Sequence, residues 1–172
     1  MMKIELNPRK VFAAFALIPL ALLAEALILQ HLKGQAPCPL CILQRQGFML
    51  IAMVALIAAV HNPRSRAVAA YAAGVSLAAA SGLGVAIWHA WTLHHPKFGC
   101  GVDVMEKFVN DLPTAKLLPF IFYASGDCSA RHDPIFGLQV PEWSLVWFSL
   151  FLLMSIFFLV KWLRAAPARA AG

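Results

Sequence analysis

Four apolar stretches, at about residues 11–29, 42–60, 67–91 and 143–160, constrain this chain more than anything else in its sequence. Each comes close to the roughly 20 residues that a helix rising about 1.5 Å per residue needs to cross a bilayer. Composition agrees: with 61% hydrophobic and 13% charged residues, there is too little polar surface to coat a soluble globule. The expectation is an all-α membrane protein, a four-transmembrane-helix bundle forming one domain over residues 1–164. Connections at about 30–41 and 92–142 carry the polar residues, and a tail at 165–172 is expected to be disordered. Neither an internal repeat nor a separate soluble domain is apparent.

A net charge of +6 raises the question of nucleic acid, but the basic residues form no soluble patch and no binding motif accompanies them. They report topology instead. Lys3, Arg9 and Lys10 precede the first stretch, Arg64 and Arg66 separate the second from the third, and Lys161, Arg164 and Arg169 follow the fourth. The positive-inside bias puts all three places, and so both termini, in the cytoplasm. The two cysteine-bearing connections then lie on the far side. There Asp103, Glu106, Asp111, Asp127, Asp133 and Glu142 outnumber Lys97, Lys107, Lys116 and Arg131, as suits a translocated segment. All four cysteines face a compartment in which disulfides persist.

The basic residues, the apolar run and Ala24-Glu25-Ala26 also suit a cleaved signal peptide. The run resumes after Ala26 and continues to Leu29, which favours a retained helix. In the third stretch Ala70, Gly74, Ala78, Gly82, Ala86 and Ala90 recur every four residues, a seam that lets two helices approach closely in lipid. Within the long connection, Val102, Met105, Phe108, Val109 and Leu112 have the spacing of a short amphipathic helix. Leu117 to Tyr123 is apolar, too short to span and broken by Pro119, so it is expected at the membrane interface. Ser125-Gly126-Asp127 reads as a turn presenting Cys128.

The cysteines form two unlike pairs. Pro39 follows Cys38 and favours the first position of a helix, which makes Cys38 the N-cap and puts Cys41 in the first turn. Both sulfurs are then expected to have lowered pKa values from the positive helix end, which favours the thiolate that attacks disulfides. A thioredoxin-like setting needs strands that this chain does not offer. Zinc is not expected, because 27 residues separate Cys100 from Cys128 and no knuckle spacing results. For Cys100 and Cys128 a structural staple of about 3.5 kcal/mol is a sufficient explanation in isolation. A redox pair on the same membrane face changes that, since two loops tethered to one small bundle exchange easily.

Electrons entering Cys38 and Cys41 need an acceptor, and no haem, flavin or iron–sulfur motif is present. A lipid-soluble quinone remains. Arg45 lies four residues beyond Cys41, on the same helix face, where its guanidinium can bind a quinone carbonyl; snorkelling to anchor the helix is the equal alternative. His89, at similar depth on the third helix, is a second candidate for the ring, although an interfacial histidine is commonly incidental. Glu25 is an intramembrane acid and hence a functional suspect, or equally a helix–helix hydrogen-bonding group. His31, His94, His95 and His132 receive no role.

Pro37-Cys38-Pro39-Leu40-Cys41 with Arg45, then His89, Cys100, Ser125-Gly126-Asp127-Cys128, and Gly137-Leu138 before Pro141-Glu142-Trp143, resembles the bacterial disulfide bond formation protein B family, DsbB. The resemblance runs from about Glu25 to the end of the fourth stretch. It implies a four-helix bundle of the bacterial inner membrane that reoxidises the periplasmic thiol oxidase DsbA and passes electrons to ubiquinone or menaquinone, a relay that keeps the periplasm oxidising. It implies that Cys100 forms the mixed disulfide with DsbA, that Cys128 is its partner and the link to Cys38, and that Cys41 contacts the quinone between Arg45 and His89. Glu25 is offset from the family's acidic position and takes no implied role. The rival reading is a structural or assembly membrane protein whose disulfides only brace its loops.

Overall fold

The computed structural model describes residues 7–64, 66–95, 100 and 102–170, without the side chains of Val102, Asp103 and residues 165–170. Lys3 and Lys97 of the charge argument fall outside these residues, as does the end of the tail at 171–172. Four long helices form the body: α1 (Pro8–Leu32), α2 (Pro39–His61), α3 (Arg66–His94) and α7 (Val140–Ala170). All four are long and apolar enough to cross a membrane, and each contains one of the expected stretches. The long connection holds α4 (Val102–Asp111), α5 (Pro113–Leu117) and α6 (Pro119–Phe122). α7 continues to Ala170, where the sequence reading expected a disordered tail from Ala165.

Local chemistry explains the helix ends. Asn7 caps α1 by accepting from the Arg9 N–H, and Cys38 caps α2 by accepting from the Cys41 N–H. Asn62 ends α2 at φ 48°, a left-handed conformation that asparagine tolerates, with Pro63 behind it to prevent continuation. α1 runs unbroken through Ala24-Glu25-Ala26.

The helices pack in chain order, α1 on α2, α2 on α3 and α3 on α7. Large apolar side chains such as Leu17, Leu77 and Leu153 point outward, as helices solvated by lipid require. Close approach therefore depends on small residues rather than on apolar burial. A Cβ on Gly82 of α3 would lie 2.2 Å from the ring of Phe148 of α7, and one on Gly47 of α2 would lie 3.3 Å from the Gly82 Cα. Phe148 stacks on Phe48 with centroids 4.1 Å apart, which fills the space that the glycines open. The expected seam is realised at Ala78, Gly82 and Ala86, whereas Ala70 is exposed. A four-residue repeat drifts about 40° per step around a helix of 3.6 residues per turn, so the stripe leaves the contact at its ends.

α1 and α7 meet through Phe15 packed against Phe151 and Phe158. Nearer the cysteines, Leu22, Glu25 and Ala26 of α1 and Trp143, Ser144 and Trp147 of α7 line opposite walls of a cavity. His94 at the end of α3 bonds Glu142 at the start of α7 at 3.0 Å, which gives that histidine a structural partner.

The connection folds over the first turns of α2. Val109, Ala115, Phe122 and Ala124 pack with Ile42, and Gln46 donates to the Thr114 hydroxyl at 2.9 Å. Of the expected apolar stripe on α4, Val109 is buried and Met105 half-buried, while Phe108 is exposed. Leu117, Leu118, Phe120 and Tyr123 leave an exposed apolar surface where an interfacial segment was expected. His31 of α1 stacks on Phe120 and its Nε2 lies 3.1 Å from the Phe120 carbonyl oxygen.

Candidate functional site

Two backbone devices bring the cysteine pairs together. The Asn110 side chain holds Ala124 on both sides, accepting from its N–H at 2.8 Å and donating to its carbonyl at 2.9 Å. Next along the chain, the N–H groups of Ser125 and Gly126 both donate to the Pro37 carbonyl at 3.0 Å. A Cβ at position 126 would sit 2.3 Å from the Ala36 carbonyl oxygen, so only glycine permits this approach. The expected turn before Cys128 is thus stapled to the residues just before Cys38. Cys100 and Cys128 are joined by a disulfide and pack with Cys38 and Leu40 in one buried cluster.

Cys38 and Cys41 are free thiols with their sulfurs 2.8 Å apart, the Cys38 Sγ–H donating to the Cys41 sulfur. Helix geometry alone suggested a lowered pKa for both. For Cys38 the opposite holds: burial, reinforced by its hydrogen bond to Cys41, pushes its thiol well above the usual range. The positive helix end acts at the same place, but desolvation of the thiolate outweighs it because only 2% of Cys38 is exposed. His89 Nε2 lies 3.5 Å from Cys38 Sγ, and Gln44 Nε2 lies 3.2 Å from His89 Nδ1.

Arg45 does not snorkel. Only 7% of it is exposed, and its guanidinium donates to Gln30 Oε1 at 2.6 Å, the Ile121 carbonyl at 2.7 Å and the Ala26 carbonyl at 3.3 Å. Arg45 thereby clasps α1, α2 and α6 together. These bonds use three of its five N–H donors. Cys38, Cys41, Arg45 and His89 all border the cavity between α1 and α7, whose volume is about 300 Å³. Leu22, Leu23, Leu29, Phe48, Trp143 and Trp147 supply apolar and aromatic walls, and Glu25 borders the same space.

The chain matches the family model of the disulfide bond formation protein DsbB over residues 8–158. It belongs to the DsbB family. A disulfide bond formation protein B of Herminiimonas arsenicoxydans is 46% identical over 154 residues, covering 88% of this chain and 96% of that protein. One from Cupriavidus necator is 44% identical over 144 residues, covering 83% and 87%. A disulfide bond formation protein B 1 of Pseudomonas fluorescens is 41% identical over 146 residues, covering 85% and 86%. Membership in the DsbB family makes this a disulfide-forming, multi-pass membrane protein.

The structure gathers every cysteine named from the sequence, together with Arg45 and His89, at one end of this DsbB bundle. Gln30 and Gln44 were missed. Each is a polar side chain in a largely apolar helix, and that is the signal by which they are legible. Of the histidines left without a role, His132 binds Gln139 through its backbone, His95 bonds the Trp91 carbonyl, and among the described residues none of His31, His94, His95 and His132 is hydrogen-bonded to a cysteine sulfur.

Proposed function

We propose that this protein is a thiol:quinone oxidoreductase of the bacterial inner membrane that reoxidises a DsbA-like periplasmic partner. The observation carrying this reading is the cavity between α1 and α7, which borders a dithiol, a buried guanidinium and an imidazole with lipid-compatible walls. An apolar, aromatic-lined space of about 300 Å³ with few polar groups suits the head of ubiquinone or menaquinone. A bound quinone supplies a sink for two electrons and two protons.

The remaining chemistry belongs to the chain. A thiolate of the partner attacks Cys100, breaking the Cys100–Cys128 disulfide and releasing the Cys128 thiolate. The partner's second thiolate attacks the mixed disulfide, so the partner leaves oxidised with Cys100 and Cys128 reduced. Cys128 then attacks Cys38 of a Cys38–Cys41 disulfide and releases Cys41. Cys100 attacks the resulting Cys38–Cys128 bond, closes Cys100–Cys128 and leaves Cys38 and Cys41 as thiols. That final distribution, one closed pair packed against two free thiols, is the arrangement described above. Arg45 orients the acceptor and offers positive charge beside it.

The test is a trapping experiment. Cys128→Ser leaves Cys100 as a free thiol that attacks the disulfide of an oxidised DsbA-like protein, and with no Cys128 to close back onto Cys100 a covalent complex through Cys100 is expected to accumulate. Adding Cys100→Ser is expected to abolish it. A complex that persists in the double variant moves the entry point elsewhere, and purified protein that without quinone oxidises many more equivalents of partner than its own two disulfides supply overturns the acceptor.

A further inference from the structure

Cys38 Sγ, Cys41 Sγ and one ring nitrogen of His89 lie within 4.8 Å of one another. We propose that in the dithiol state these three residues form a binding site for a zinc-like cation, whose capture arrests turnover. Two thiolates and one imidazole, with a fourth position left open, are a known zinc donor set. The spacing of Cys100 and Cys128 offers no second pair of zinc ligands along the chain; the third ligand here comes instead from α3, 48 residues beyond Cys41.

Three further features suit the site. The cavity reaches both Cys38 and Cys41, giving an ion an entry path and room for a fourth, exchangeable ligand. Gln44 presents its amide nitrogen to His89 Nδ1 at 3.2 Å; when that amide turns over, its oxygen accepts the Nδ1 proton and Nε2 is left as a lone pair beside the sulfurs. The adjustment required is also small. Zinc–sulfur bonds of about 2.3 Å at a tetrahedral angle hold two sulfurs about 3.8 Å apart, so the pair opens by about 1 Å. Cys41 is only half-buried and can rotate toward the cavity. Binding exchanges two thiol protons for one divalent ion, with no change in oxidation state. The Cys38–Cys41 disulfide has no thiolate to offer, so only the reduced intermediate is sensitive.

The site needs reduced thiols alone, whereas the arrest of turnover rests on the oxidoreductase reading. Cobalt(II) is the probe, added without quinone to the purified full-length protein in detergent after reduction and removal of reductant under nitrogen. Expected are sulfur-to-cobalt charge-transfer bands that saturate at one ion per chain and are displaced by zinc. Cys38→Ser, which retains Cys100 and Cys128, is expected to lose them, and His89→Ala to weaken cobalt affinity at least about tenfold. Reduced protein without such bands, or unchanged affinity in His89→Ala, overturns the site. If His89→Ala does not fold, oxidising the wild type with diamide is the second measurement, and bands that survive closure of the Cys38–Cys41 disulfide overturn it equally. Zinc is then expected to inhibit partner oxidation reversibly, with recovery on chelation. Cobalt binding without such inhibition removes the arrest and leaves the site, and absent quinone activity in metal-free protein counts against the oxidoreductase reading alone.

Discussion

Gly126 touches the backbone of Ala36 so closely that a single added carbon would lie 2.3 Å from the Ala36 carbonyl oxygen. This contact joins the loop of Cys128 to the residues that lead into Cys38. Gly126→Ala is therefore expected to cost about 1–3 kcal/mol and to move Cys128 away from Cys38. The measurement is the rate of disulfide exchange between the two pairs after rapid mixing with reduced partner. An unchanged rate in folded Gly126→Ala shows that the contact does not control exchange.

Gly82 is expected to be just as intolerant, for a different reason. Its missing side chain is filled by the Phe148 ring, itself pinned by stacking on Phe48. Gly82→Ala is expected to destabilise the bundle by about 1–3 kcal/mol. Phe148→Leu added to it should recover part of that loss, because a shorter side chain relieves the overlap. Thermal unfolding in detergent of the two single variants and the double variant gives the coupling, and purely additive losses contradict the contact.

The two free thiols should differ in reactivity. Burial and the bond to Cys41 keep the Cys38 thiol protonated well above the usual range, so raising the pH from about 7 to about 9, across the ordinary thiol value near 8.5, leaves its ionisation almost unchanged. Iodoacetamide is expected to label Cys41 first and Cys38 slowly at either pH. Mass spectrometry of timed samples reads both sites, and early labelling of Cys38 that accelerates with pH speaks against the assignment.

Arg45→Lys keeps the charge but loses the planar fork that serves Gln30, Ile121 and Ala26 together. Losing one charge-assisted hydrogen bond to quinone is worth about 1.5–3 kcal/mol, or about ten- to a hundredfold in apparent affinity. The variant is expected to insert normally, to need more quinone for the same rate of partner oxidation, and to exchange amide hydrogens faster around α6. Unaltered quinone dependence with a loosened α6 would reduce Arg45 to a clasp.

Topology gives the last prediction. By the positive-inside bias, the Lys and Arg distribution predicts both termini in the cytoplasm and the cysteine end of the bundle in the periplasm. Reporter fusions at Lys33 and Asn110 are expected to be active only as periplasmic reporters. Cytoplasmic activity at either position excludes exchange with a periplasmic partner.

Much of this protein follows from its sequence because the physics is local. Runs of apolar residues long enough to span lipid must become helices, since an unpaired backbone group in hydrocarbon costs too much, and this alone determines α1, α2, α3 and α7. Pro39 after Cys38 determines the cap of α2 in the same local way. What depends on distant residues meeting was decided only in three dimensions. The pKa of Cys38 reversed direction because burial is a property of the packed loop, whereas the helix end is a property of the segment. Arg45 became a buried clasp rather than a snorkelling anchor because α6 delivers a carbonyl from 76 residues away. His89 stands out in the sequence only as a candidate and Gln44 only as a polar residue in an apolar run; the close α2–α3 approach allowed by Gly47 and Gly82 carries them to one another and to Cys38, and no spacing along the chain encodes that meeting.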